Sequence, residues 1–378
     1  MMRKKSSSQK LLLQIICISS MLWAIVGCSV PVVTPSSGLP SATPLLVSPT
    51  ATRSLPTDGD DINGLSDEEV ATLSSLEKVD DYPLYTMRYF GGYDQRLSVD
   101  TLQGPVIADL LEPNLTAWAC SLFAALGDAE NMLFGRNFDW EYSPAVLLFT
   151  NPPGGYASVS MVDIAYLGYG ETEAGKLIDL PIVERRALLD APFLPFDGMN
   201  EHGLTVGMAA VPPGHIHSNP EKETIDSLMV IRKMLDRARD VDEAVAIMGS
   251  YNIDMGGGPP IHYLIADRSG RSVLVEFYQG ELVVISNEVP WHQATNFLRS
   301  SSVESAEGIC WRYDAIHRWM ENSAGQVTLL EAIDLLKEVS QEGTQWSIVY
   351  GINAGDIHVV MGQRYQNIHS FQLNPSEN

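Results

Sequence analysis

A thiol, a guanidinium and a carboxylate lie close together near the middle of the chain: Cys120 is followed by Arg136 at +16 and Asp139 at +19. Between them runs CSLFAALGDAENMLFGRNFDW, two apolar runs separated by the turn-type residues Gly127, Asp128, Ala129 and Glu130. This pattern predicts a tight β-hairpin that folds Cys120 back against Arg136 and Asn137. Period-2 alternation puts Arg136 on the face of Phe134 and Phe138 and gives Asp139 the opposite parity, so Asp139 must lie where the strand ends or bends. A free thiol, with a pKa of about 8.5, is mostly protonated at neutral pH, and a neighbouring Arg cation favours the thiolate that attacks carbonyls. Without such convergence the same residues would be a small core cysteine and a surface ion pair.

Five further segments occur in a fixed order: GRNFDW at 135–140, DGMNEHGL at 197–204, DRSGRSVLVE at 267–276, TN at 295–296 and WRY at 311–313. With the Cys120 spacing, this set resembles the cysteine N-terminal-nucleophile (Ntn) hydrolases. More narrowly it resembles the linear amide C–N hydrolases, a group including choloylglycine hydrolase, penicillin V acylase, the isopenicillin-type acyltransferases and acid ceramidase. The resemblance extends from about Tyr82 to the C-terminus. It implies a four-layer αββα sandwich of two antiparallel sheets, within the broader α+β class. It also implies that Cys120 becomes a chain N-terminus and the nucleophile, that Arg136 sits beside its sulfur and that Asp139 holds the new α-amine. Asn200 and Asn296 match the positions that polarise the substrate carbonyl, and Arg312 the arginine that steadies the site. Read from the residues alone, Asn200 is a turn residue before Glu201-His202-Gly203, and Arg299 could serve the charge role given to Arg312.

The elements that must position these groups read as mixed. Hairpin-like runs fall at 121–138, 156–169, 204–211 and 261–287. Helical periodicity covers Thr224 to Arg239, Val241 to Met248 and Leu329 to Ser340. A closing strand pair, Trp346 to Ile352 and Ile357 to Gly362, turns at Asn353-Ala354-Gly355. Upstream, Leu65 to Leu76 fits a short helix and DYPLYTMRYFGGYD a strand. The 259 residues from Cys120 to Asn378 suffice for one large catalytic domain.

The N-terminus predicts location. Arg3, Lys4, Lys5 and Lys10 border a 16-residue apolar stretch, Leu11 to Val26, too short for the roughly 20 residues that span a bilayer, and Ile25-Val26-Gly27-Cys28 has the form of a bacterial lipoprotein signal. Residues 1–27 then read as signal peptide, Cys28 as the lipidated first residue, 28–62 as a Pro/Ser/Thr-rich tether and 63–119 as propeptide or small chain. An uncleaved anchor or an ordinary secretory signal are the alternatives. Of the four cysteines, only Cys120 and Cys310 remain in the folded part, so no disulfide framework is implied. The formal charge of −23 becomes −27 without the leader's four cations, which argues against nucleic acid and against adhesion to anionic lipid.

Together these readings predict an extracytoplasmic, lipid-anchored amidase. It would cleave a linear amide of a small N-acyl substrate through a Cys120 acyl-enzyme after autoproteolysis at Ala119–Cys120, with the membrane met through the lipid alone and oligomeric state left open. Acyl transfer to another amine, a non-catalytic solute-binding lipoprotein, and a cysteine hydrolase with His202 or His292 as base are the rivals. No cofactor is invoked. Gly256-Gly257-Gly258-Pro259-Pro260 lacks the Lys-Ser/Thr of a phosphate loop and reads as a flexible loop at the substrate mouth. His215 and His217 lack further metal-ligand partners. Phe138, Trp140, Met199 and Trp291 are candidates for a greasy acyl pocket.

Overall fold

The computed structural model describes residues 64–94, 120–214, 217–256, 258–301 and 305–373, all within one compact unit, Ser54–Asn378. The leader, Cys28, the tether, residues 95–119 with the Ala119 carbonyl, and His215 lie outside the described residues.

Chain order begins with α1 (Asp67–Ser74), β1 (Glu77–Asp80) and β2 (Leu84–Tyr89). Ser66 caps α1 by accepting from the Glu69 N–H while the Glu69 carboxylate accepts from the Ser66 N–H, a reciprocal capping box. Then come β3 (Ser121–Ala125), β4 (Leu133–Asp139), β5 (Ala145–Thr150), β6 (Ser158–Asp163), a short α2 (Glu171–Ala174), β7 (Asp197–Asn200) and β8 (Thr205–Ala210). They are followed by β9 (Thr224–Asp226), α3 (Met229–Arg237), α4 (Val241–Ser250), β10 (Asn252–Asp254), β11 (Ile261–Ala266), β12 (Ser272–Tyr278), β13 (Glu281–Ser286) and β14 (Trp291–Ala294). The chain closes with α5 (Trp311–Ser323), α6 (Leu329–Glu338), β15 (Thr344–Gly351), β16 (Asp356–Met361) and β17 (His369–Gln372).

Two large sheets result. One has nine strands in the order β1-β2-β5-β6-β7-β8-β11-β12-β13, the other six in the order β14-β3-β4-β15-β16-β17. Alternation along β3 shows how they stack. Leu122 and Ala124 join the core shared with Val206 of β8 and Ile265 of β11, whereas Phe123 and Ala125 face the other way, onto Ile316 of α5 and Ile333 of α6. Helices α3 and α4 cover the nine-stranded sheet through Val230, Met234 and Ala244. The layers are therefore αββα, the expected fold class. Gly207 sets the closeness of the sheets, since a Cβ there would sit 2.7 Å from Leu122 Cδ2 and 3.1 Å from Phe134 Cε1.

Several local expectations need correction. The larger sheet is not wholly antiparallel: β2 runs parallel to β5, Leu84 opposite Ala145 through Tyr89 opposite Thr150. The run 156–169 is one strand, β6, followed by a 3-10 turn at Ile164–Leu167 whose Ala165 N–H is capped by the Asp163 carboxylate, and 204–211 is also a single strand. Thr224–Asp226 is not helical but pairs in parallel with Asn252–Asp254, a contact between residues far apart in sequence. Helix α5 was not anticipated, because WRYDAIHRWMENS carries charge on most turns and buries only Arg312, Ala315, Ile316 and Met320.

Candidate active site

The β3–β4 hairpin forms as expected, with Ser121 opposite Asn137 and Leu122 opposite Arg136. One step further places Cys120 across from Phe138, so Cys120 and Arg136 share a face as diagonal neighbours. The Cys120 residue is 4 % exposed and Arg136 fully buried. Arg136 Nη1 donates to the Phe196 carbonyl at 2.6 Å and to Asp197 Oδ2 at 2.5 Å. Asp197 is held in turn by the Tyr350 hydroxyl, 2.5 Å from Oδ1, and by Trp346 Nε1, 3.4 Å from Oδ2. This leaves Arg136 Nε and Nη2 without a protein acceptor in hydrogen-bond geometry, with the guanidinium beside the thiol. Burial pushes the Cys120 thiol up; Arg136 and the Asp139 backbone N–H pull it down, and the Asp139 carboxylate adds to the rise.

Asp139 is the last residue of β4, and the β4–β15 register slips there, between Thr344 and Trp346. A bulge of this kind re-aims a side chain that alternation alone would point away. Asp139 Oδ1 accepts from the Thr344 hydroxyl at 2.5 Å, while the buried Oδ2 has no partner. Burial raises its carboxyl to about 7, against the pull of Thr344, Arg312 and Arg136. A carboxyl raised in the folded state stabilises the fold fully below its unfolded pKa of 3.8, and that contribution is lost as pH rises through 7. The span corresponds to about 4 kcal/mol. Melting of a Cys120→Ala chain should therefore fall relative to Cys120→Ala/Asp139→Asn between pH 4 and pH 8. Parallel melting curves would refute the burial of an unpaired carboxyl.

Asn296 follows β14, whose Ala294 pairs with Leu122, so the β14 end brings it towards Cys120. Its Nδ2 donates to the Ala210 carbonyl at 2.8 Å and its Oδ1 accepts from Arg312 Nη2 at 3.1 Å. Arg312, in the first turn of α5, also donates through Nη1 to the Cys120 carbonyl at 2.5 Å and to Ser121 Oγ at 2.9 Å. One guanidinium thus ties the Cys120 backbone to the Asn296 amide. Arg299 does not share this place; its guanidinium lies 5.7 Å from the Tyr313 ring centroid.

Asn200 does not join them. Its Nδ2 donates to the Leu235 and Ala238 carbonyls and its Oδ1 accepts from the His202 and Leu204 N–H groups, so both amide hydrogens are spent bracing the end of α3 against the turn after β7. The carbonyl-polarising role given to it by resemblance is corrected on that ground. Further along, Met208, Ala209 and Ala210 at the end of β8 line the cleft. Val211 N–H donates to the Pro260 carbonyl, so alternation turns the Ala210 N–H and C=O away from β11, to the side where β7 has ended. Two groups that sequence reasoning missed, Asp197 and the Ala210 backbone, thus complete the site. Neither carries a local signal, since Asp197 looks like one more turn residue and any residue supplies an N–H.

Cys120 and Arg136 open into a cleft walled by Phe138, Trp140, Tyr166 and Phe196, with Gly258 and Pro259 also lining it. Of the four apolar candidates, Phe138 and Trp140 line it, whereas Met199 lies in the core and Trp291 packs under α5. Among the described residues no histidine lines it: His202 packs on the Tyr156 ring at 4.3 Å, and His292 contacts Ser272 Oγ with its pKa lowered to about 4 by burial. Cys310 is a half-buried free thiol preceding α5 and does not line the cleft. Among the described residues, no three His, Cys, Asp or Glu side chains gather to hold a metal, and no helix is long and apolar enough to cross a membrane.

Two facing sheets between helical layers, with a buried thiol leading into an inner hairpin, make up the Ntn-hydrolase fold. Two mutants of conjugated bile acid hydrolase from Clostridium perfringens share the fold at TM-scores of 0.51 and 0.50 and 16% identity, covering 68% of this chain and 93% and 94% of theirs. The family model of linear amide C–N hydrolases, choloylglycine hydrolase family, matches residues 120–296. The match starts at the thiol and stops at the Asn296 amide. Among curated relatives, the bile salt hydrolase/transferase of Bifidobacterium longum subsp. longum is 23% identical over 210 residues, 51% of this chain and 63% of its own length. An uncharacterized protein of Paramecium bursaria Chlorella virus 1 is 32% identical over 100 residues, 24% of this chain and 36% of its own length. The chain thus covers less than two thirds of either relative.

Proposed function

We propose that this chain hydrolyses a linear amide of a small N-acyl substrate through an acyl-enzyme on Cys120, after the Ala119–Cys120 bond is cut. The observation that carries the reading is the unpartnered Asp139 Oδ2, buried near the Cys120 thiol. A buried acceptor without a donor is costly, and an α-amine on Cys120 would supply the missing donor. Such an amine, with a pKa of about 8, takes the thiol proton as the sulfur attacks the substrate carbonyl. The negative oxygen of the tetrahedral intermediate is met by the Asn296 Nδ2 group and the Ala210 N–H. As the C–N bond breaks, the α-ammonium returns the proton to the leaving amine. Water then attacks the thioester, giving its proton to the α-amine and releasing the free acid and the thiol. The aromatic cleft takes the apolar acyl group.

The test is turnover of the 4-nitroanilides of decanoic, phenylacetic and cholic acids by purified protein, with mass spectrometry of the quenched enzyme. Release of nitroaniline with an acyl adduct on the Cys120 peptide supports the reading; no release from any of the three sinks it. We further propose that Cys28 is lipidated and holds the enzyme outside the cytoplasm, because a basic, apolar leader ends at Ile25-Val26-Gly27-Cys28. Cys28→Ala should move the protein from the membrane fraction to the soluble one, and retention after a salt wash would make Leu11 to Val26 an anchor instead.

A further inference from the structure

Glu276, the last residue of the DRSGRSVLVE run, is fully buried, and the mechanism above makes no use of it. Its carboxylate accepts from four donors: the Arg299 N–H at 2.8 Å, the Ser300 N–H at 2.8 Å, the Ser300 hydroxyl at 2.6 Å, and His262 Nδ1 at 3.2 Å. Hydrogen bonds to an ionised acceptor are about twice as strong as neutral ones. Their contribution outweighs burial here, because the Glu276 carboxyl is lowered although desolvation opposes it.

The geometry of these partners is specific. Arg299 and Ser300 begin the 3-10 turn Arg299–Ser301, three residues beyond Asn296. The loop that carries Asn296 leaves the six-stranded sheet at Ala294, opposite Leu122, and reaches the nine-stranded sheet at Glu276. His262, the other partner, lies on β11 directly opposite Ala209 of β8, the neighbour of Ala210. Glu276 therefore fastens both arms of the oxyanion site: the Asn296 loop through two backbone N–H groups, and the β8 end through His262.

We infer that Glu276 is a positioning residue for the oxyanion donors, holding the Asn296 amide and the Ala210 backbone at one separation; this rests on the reading that these two groups receive the oxyanion. Glu276→Gln keeps the shape but removes the charge and offers N–H groups where an acceptor is needed. A displacement of about 1 Å at such a site costs on the order of a hundredfold. With the best of the three nitroanilides, kcat per chain beginning at Cys120 should fall about tenfold to a hundredfold, with KM changed by less than about threefold. In an Asn296→Ala background the same substitution should cost less than about threefold further, because the group it positions is gone.

Counting active chains by titration of Cys120 separates this from mere loss of folded protein. Should Glu276→Gln not fold, Ser300→Ala removes one bond of the clamp and should lower kcat about threefold, again only while Asn296 is present. An unchanged kcat in the variant that folds, or equal losses with and without Asn296, overturns the inference alone. Unimpaired Asn296→Ala overturns the oxyanion reading on which it rests, and this inference with it.

Discussion

Wild-type protein is expected to yield a chain whose first residue is Cys120, and Cys120→Ala a single uncut chain with no amidase activity. The proposed mechanism asks the Cys120 nitrogen to be a base, and an amide nitrogen cannot accept the thiol proton. Before the cut, the same thiol can attack the Ala119 carbonyl, its proton passing to the nitrogen of Cys120 as that C–N bond breaks and the amine is freed; water then hydrolyses the resulting thioester, releasing the Cys120 thiol and the Ala119 carboxylate. Loss of activity in Cys120→Ala should exceed three orders of magnitude, since removal of a nucleophile leaves only the effect of binding and oxyanion stabilisation. Cys120→Ser should be cut slowly or not at all. N-terminal sequencing decides the matter: full activity from one intact chain through Cys120 refutes the N-terminal mechanism. Among the described residues no histidine lines the cleft to take over as base, so such a result would require a base drawn from elsewhere.

Asn296→Ala should slow acylation by about two to three orders of magnitude, the cost of one oxyanion donor in a dry site. The substitution is informative because Cys120 keeps its support. Arg312 loses the Asn296 Oδ1 acceptor but retains the Cys120 carbonyl and Ser121 Oγ, so Cys120 stays placed. Single-turnover kinetics with the nitroanilides measure the step directly, and circular dichroism checks the fold. A rate equal to wild type would make Asn296 a loop residue that merely braces Ala210 and Arg312.

The parts of this site that could be read from sequence are those built by neighbours in the chain. Two apolar runs around Gly127–Glu130 can close only one tight hairpin, which fixes Cys120 against Arg136, and parity alone requires Asp139 to sit at an irregularity. What could not be read depends on partners far away. Asn200 looks like an amide free to act until its two hydrogens are traced to Leu235 and Ala238, at the far end of α3. Asp197 gains its role from Arg136, Tyr350 and Trp346, each more than fifty positions distant. Arg312 was recognised through its Trp-Arg-Tyr setting, yet the helix that presents it was missed because most of its surface is polar. The parallel pairing of β2 with β5 is equally non-local: nothing in DYPLYTMRYFGGYD states which strand it will join.

With the proposed cut at Ala119–Cys120, that pairing changes what unfolding means. Strands β1 and β2 precede Cys120 yet form one edge of the nine-stranded sheet, and Tyr82, Asp80 and Tyr93 reach across to Gln345, His369 and Asp236. Folding of the uncut precursor is an intramolecular event, independent of concentration. A cut at Ala119–Cys120 turns the return journey into an encounter between two molecules, one of which carries the edge strands and the proposed lipid. The native sheet is then assembled while the chain is continuous and afterwards guarded by the height of the barrier to coming apart, so the durability of the mature form is a lifetime rather than an equilibrium.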